Sequence, residues 1–318
     1  MTARAVALVA LYAFIAVPAV AQPAKTPPLA APPAEATSKA DLAYGAFQRG
    51  HYLTAFAEAT KRAQQNDPVA MTLLGELYAQ GLGVPQNDNK AAEWYKLAAA
   101  HGDRDAMFAL AMFNLQGRGG PRNADEAARL LAAAAKLGHA AAAYDLGLLY
   151  LQGQQFPQDF TRAAELFRQA ADAGNAEAQY ALATMYKEGR GAPKDLAEAA
   201  RLMGLASVAG NLDAMVEYAI AEFNGTGIPK DEAAGARLLL IAARRGSAIA
   251  QDRLARALMA GRGMPADPAE AIKWHIIAKA EGDGDPDLDA FAAQQPQAVR
   301  DAAEKAAKKW MSTLVPRS

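Results

Sequence analysis

The chain has 318 residues, a formal charge of −1, 52% hydrophobic and 7% aromatic residues, and no cysteine. Lacking cysteine, it has no disulfide framework, no thiol chemistry and no lipid anchor on an N-terminal cysteine. Its basic residues are scattered among acidic ones rather than gathered into a stripe, which argues against a nucleic-acid partner.

In chain order, residues 1–21 read as a cleavable export signal. Arg4 supplies the positive start, residues 5–15 the apolar run, and Ala19-Val20-Ala21 a small-x-small cleavage site before Gln22. The apolar run falls short of the ~20 residues of a membrane span, so no stable membrane insertion is expected once the signal is removed. Residues 22–38 hold five prolines without a hydrophobic period and read as a disordered, extended linker. Residues 39–66 carry a shortened helical pair, with Leu42, Tyr44 and Phe47, then Ala55, Phe56 and Ala59, as its apolar positions.

Residues 67–282 repeat. Gly102, Gly138, Gly174, Gly210, Gly246 and Gly282 recur every 36 residues, and the columns headed by Gly81 and Pro85 keep the same interval. That period predicts an all-α solenoid of six helical hairpins. The first helix of each unit, helix A, has alanine in the column headed by Ala70. Leucine, or Tyr218, follows four residues on, and glycine or alanine comes directly after it. This spacing puts the first two columns on one face and lets a neighbouring helix approach at the third. Helix A ends at the Gly81 column in a left-handed cap. After a short Gly-x-Gly-apolar-Pro loop, Asn87 and its equivalents cap helix B, and Glu126, Glu198 and Glu270 complete a capping-box pattern. Helix B presents the columns headed by Trp94 and Ala98 to the core. Gly235 interrupts helix B of unit five at a cost of up to ~1 kcal/mol in helix propensity. Residues 283–318 form a C-terminal cap, with an aspartate-rich turn and a helix carrying Val299, Ala303, Ala306 and Trp310 on one side.

Units such as Ala70-Met-Thr-Leu-Leu-Gly-Glu-Leu-Tyr78 and Ala178-Gln-Tyr-Ala-Leu-Ala-Thr-Met-Tyr186 resemble Sel1-like repeats, relatives of tetratricopeptide repeats. The likeness implies a right-handed α/α superhelical solenoid with N- and C-terminal capping helices. It also implies a scaffold or adaptor role in the periplasm of a Gram-negative cell. Gln155 and Phe156 depart from the loop pattern in unit three, and Asn114 and Glu222 replace the tyrosine in units two and five.

By the geometry of related folds, helix A lines the binding surface. Projecting its columns gives a candidate partner-binding groove of Phe108, Met112, Leu115, Tyr144, Leu148, Leu151, Tyr180, Ile220 and Phe223. One reading is an aromatic-lined channel for an extended peptide or a partner helix. The other is that these side chains pack between helices or under the C-terminal cap. Replacing Tyr144 and Tyr180 with alanine is expected to abolish partner capture while leaving thermal stability nearly intact.

No catalytic signature stands out. His51, His101, His139 and His275 fall on different units without metal-ligand spacing and read as surface or capping residues. Asp283, Asp285, Asp287 and Asp289 alternate like a calcium loop, but Leu288 and Gln294 occupy the positions where that loop needs glycine and glutamate, so the segment reads as a solvated capping turn. The expected function is a non-enzymatic protein-interaction scaffold or regulator of a cell-envelope process, without cofactor or metal. The competing expectation is a glycan-associated accessory protein of peptidoglycan or exopolysaccharide assembly, or a hydrolase.

Overall fold

The computed structural model describes residues 42–153 and 156–314; the expected signal and linker, and Gln155, lie outside the described residues. All regular structure within them is helical. The helices are α1 (Leu42–Gln48), α2 (Tyr52–Ala63), α3 (Pro68–Gln80), α4 (Asp88–Ala100), α5 (Arg104–Gln116), α6 (Ala124–Lys136), α7 (Ala140–Gln152) and α8 (Phe160–Asp172). They continue with α9 (Ala176–Glu188), α10 (Leu196–Val208), α11 (Leu212–Asn224), α12 (Glu232–Arg244), α13 (Ala248–Ala260), α14 (Pro268–Ala280), α15 (Pro286–Gln294) and α16 (Gln297–Leu314). Each helix from α2 to α14 packs on the one before it, so six A/B hairpins stack in chain order, with α3, α5, α7, α9, α11 and α13 as the A helices.

Capping sets the punctuation. Gly81 ends α3 at φ 69°, and its equivalents end the other A helices in the same left-handed conformation. Asn66, in the column that ends B helices with glycine, is the one non-glycine residue among those described to take a positive φ, at 63°. The B helices start at Asn87, Asn123, Asp159, Asp195, Asp231 and Asp267, whose side chains accept backbone N–H bonds. The A helices have side-chain caps of their own at Asp67, Asp103, His139, Asn175, Asn211 and Ser247. The capping box is only half used. Glu126, Glu198 and Glu270 bind Arg129, Arg201 and Lys273. The N-cap backbone N–H groups instead donate to the helix A carbonyls of Asn114, Tyr186 and Leu258.

The core runs along the stack and is built mostly of alanine and leucine. The Ala70 and Ala98 columns are buried throughout, as are Leu74, Leu110, Leu146, Leu182 and Leu254. A fully buried leucine contributes about 1.5–3 kcal/mol. The small column after the leucine varies with its partner. A Cβ on Gly75 would lie 2.5 Å from the Tyr95 ring and one on Gly147 2.7 Å from Phe167. In units two, four and five, alanine at this column stands in register with Leu131, Met203 and Leu239. Glycine with an aromatic ring and alanine with an aliphatic chain fill similar volumes. Gly235 follows the same logic, because a Cβ there would lie 2.6 Å from the Ala219 carbonyl oxygen. Beside its expected cost in helix propensity, it therefore has a packing role: it is where α12 meets the α11 backbone.

At the C-terminal end, α16 packs on α14 as a further helix A would. Ala303 and Ala307 are buried, and the Trp310 ring meets Trp274 edge-on at 5.2 Å. The aspartate-rich turn caps a helix as expected and keeps Asp287 and Asp289 exposed, but it is only partly solvated. Asp285 caps α15 while only 4% exposed and forms an ion pair with Arg256, and Asp289 receives His275 Nε2 at 2.8 Å and Lys279 Nζ at 2.7 Å. His275 is likewise buried, not on the surface.

Candidate functional site

Successive A helices are separated by the intervening B helix and meet each other mainly through side chains. Thr72 Oγ1 donates to Asp103 at 3.0 Å, the Phe108 ring stacks on His139 at 4.5 Å, and Lys187 Nζ pairs with Glu217 at 2.7 Å. Large side chains projecting toward the next A helix are therefore half-buried: one flank packs and the other faces solvent.

All nine residues of the expected groove have this character. Phe108, Met112 and Leu115 lie on α5, Tyr144, Leu148 and Leu151 on α7, Tyr180 on α9, and Ile220 and Phe223 on α11. The α5 and α7 members rest against the main core, so for them packing and exposure coexist. Tyr144 also tilts against the buried Phe167 ring at 5.6 Å. Part of its ring is thus structural, and alanine at this position would cost stability as well as surface. Tyr180 has no such ring contact among the described residues. Ile220 borders two cavities. One, of about 130 Å³, lies among α9, α10 and α11 and includes Lys187, Met203 and Glu217. The other, of about 280 Å³, lies between α11 and α13 over Phe223, Leu239 and Met259, with Arg253, Arg256 and Arg262 around it. The Arg262 guanidinium lies 4.7 Å from the Phe223 ring centre and binds Glu232 at 2.6 Å.

The electrostatics of this face were not legible as a site from the sequence. Burial raises the Tyr144 hydroxyl, and Asp145 and Glu177 add to the rise. Tyr180 is pushed up to about 12 by burial and by Glu217 and Asp213. Asp145 is pushed up to about 6 by burial alone, with no cation beside it. Among the described residues Asp145, Glu177 and Asp213 have neither a hydrogen bond nor an ion pair through their carboxylates, and Glu217 has Lys187. The available signal was the acidic residues one before the Ala70-type column in units four and five (Glu177, Asp213) and three after it in units three and five (Asp145, Glu217), near the tyrosines of units three and four.

His139 and His275 hold structure together, whereas His51 is exposed and makes no capping hydrogen bond. His139 Nδ1 accepts the Ala142 N–H at 3.0 Å, which leaves the ring proton on Nε2, facing Asp105 at 3.5 Å. Burial holds His139 below the usual imidazole range, against the pull of Asp105. No group of three or more His, Asp or Glu among the described residues is arranged to hold a metal ion, and no described helix is long and apolar enough to cross a membrane.

The family model described as Sel1 repeat matches residues 68–103, 104–139, 140–175, 176–211, 212–247 and 248–283. Among solved structures, a Sel1 repeat protein from Oxalobacter formigenes is similar at 27% identity and a TM-score of 0.64, over 76% of this chain and 97% of that one. A protective antigen of uropathogenic Escherichia coli displaying an SLR fold is similar at 23% identity and a TM-score of 0.57, over 84% of this chain and 68% of that one. No curated protein gives a significant match.

Proposed function

This chain belongs to the Sel1 repeat family, whose members are generally protein-interaction scaffolds, and from that premise we propose that its A-helix face binds a peptide or helix of a partner protein. The observation that carries this reading is the row of half-buried aromatic and aliphatic side chains on α5, α7, α9 and α11. The C-terminal helices leave that row uncovered, since α16 packs on α14 and α15 on α13 and α14. Apolar side chains of the partner would supply affinity by filling the gaps between A helices, with charged positions selecting register.

We read the protein as a binder rather than an enzyme. His139 and His275 are committed to structural hydrogen bonds, and the unpaired carboxylates are spread over three repeats. Residues 1–21, read as an export signal, support a periplasmic setting and a role in a cell-envelope process. The test is photo-crosslinking in living cells from position 144, with position 172 on the outer side of α8 as control. A discrete protein adduct from 144 that is absent from 172 supports the proposal. Equal adducts from both positions, or adducts with peptidoglycan or exopolysaccharide alone, refute it.

A further inference from the structure

The chemistry of the A-helix face changes along the stack. Over α7, α9 and α11 the half-buried rings of Tyr144 and Tyr180 alternate with carboxylates. Tyr144 feels Asp145 and Glu177, and Tyr180 feels Asp213 and Glu217. Glu217 is neutralised by Lys187 at 2.7 Å. Asp145, Glu177 and Asp213 have no cation within pairing distance among the described residues, so this stretch carries three uncompensated negative charges beside two aromatic rings. Further on, the 280 Å³ cavity at α13 is bordered by Arg253, Arg256 and Arg262. Of these, Arg256 pairs with Asp252, Asp285 and Asp287, and Arg262 with Glu232, while Arg253 has no partner among the described residues.

Asp145, half-buried without a partner, sits unfavourably in the free protein and an incoming cation relieves it, while the exposed Glu177 and Asp213 add attraction for the same charge. An aromatic ring beside the carboxylate adds attraction for the same cation through its π face. We infer that the stretch over α7, α9 and α11 takes a segment of a partner protein bearing lysine or arginine, whose cationic side chain sits against Tyr144 and Tyr180 and pairs with Asp145, Glu177 and Asp213. An apolar neighbour in that segment fits the 130 Å³ cavity beside Ile220 and Met203. Arg253, the one of these arginines without a partner among the described residues, disfavours a basic residue placed further along and so biases the direction of the segment. This inference rests on the proposed groove and names the chemistry of its occupant.

The experiment uses three labelled twelve-residue peptides in which leucine alternates with arginine, glutamine or glutamate, read by fluorescence anisotropy. The binders are the protein, a triple variant Asp145→Asn, Glu177→Gln, Asp213→Asn, and a control variant Glu93→Gln, Asp125→Asn, Asp172→Asn that removes equal charge from exposed positions on B helices. The arginine peptide is expected to bind the protein and the control alike, and the triple variant ~10-fold or more weakly. Its binding should also weaken between roughly 50 and 300 mM salt. Circular dichroism melts confirm that the variants are folded. If the glutamine or glutamate peptide binds as tightly as the arginine peptide, and Tyr180→Ala weakens it, the groove survives and the basic occupant is overturned. If the arginine peptide loses affinity equally in the triple variant and the control, the attraction is general charge and the inference is overturned. If no peptide responds to Tyr180→Ala, the groove reading fails as well.

Discussion

Replacing Gly147 by alanine tests the size compensation between the two helices of a repeat. The new methyl carbon would lie 2.7 Å from Phe167 Cε1 and 2.8 Å from Cδ1, inside van der Waals contact. Relief requires the Phe167 ring to retreat by about 1 Å, yet that ring is 0% exposed and already rests against Tyr144. Overpacking of this kind costs ~1–3 kcal/mol. The better helix propensity of alanine returns up to ~1 kcal/mol, so a net loss of ~1–2 kcal/mol is expected. Phe167→Leu alone leaves a void and costs ~1–2 kcal/mol. The double variant reproduces the Ala111 and Leu131 pair of unit two and should recover to within ~1 kcal/mol of the parent, a coupling of ~1–3 kcal/mol. Urea unfolding of the four proteins measures that coupling. Additive losses would refute the claim that these columns are matched in volume.

Asp145→Asn should stabilise the protein at neutral pH. Burial raises the folded carboxyl from its ordinary 3.8 to about 6, so the stability it contributes is present below 3.8 and is lost as pH rises through about 6. The bare linkage is up to ~3 kcal/mol, and the remaining solvent contact reduces the expected gain to ~1–2 kcal/mol at pH 7. Melts from pH 4 to 8 should show the gap between variant and parent opening with pH, and a pH-independent gap would refute the reasoning. Gly235→Ala should destabilise by ~1–3 kcal/mol despite better propensity, since its Cβ would meet backbone that cannot rotate away. An unchanged or raised urea midpoint would show that α11 and α12 separate easily.

Three columns at a constant interval were enough to expect stacked helical hairpins, because each break needs a particular backbone conformation that glycine, or Asn66, supplies. The half-burial of the groove residues was only partly legible. Helical spacing shows that Phe108, Tyr144 and Tyr180 share a side of their helices. How far each leans on a neighbour depends on separate contacts, such as Tyr144 on Phe167 and Phe108 on His139. The capping-box reading misled because sequence does not show competition: the N-cap N–H groups of α6, α10 and α14 were already taken by helix A carbonyls.

The sequence by itself determined the repeat helices, their register and the inward Ala70 and Ala98 columns, since capping and periodicity act over a few residues along the chain; it missed that the Tyr95 column of helix B is buried more evenly than the Trp94 column. Only the tertiary structure decided that Gly235 is a contact point, that the ring facing Gly147 is Phe167, that His275 and Asp285 are buried, and that Asp145, Glu177 and Asp213 stand unpaired beside two tyrosines. Those outcomes depend on which side chains meet across helices, from His275 and Asp289 at a separation of 14 upward, and a local pattern cannot encode a contact of that kind.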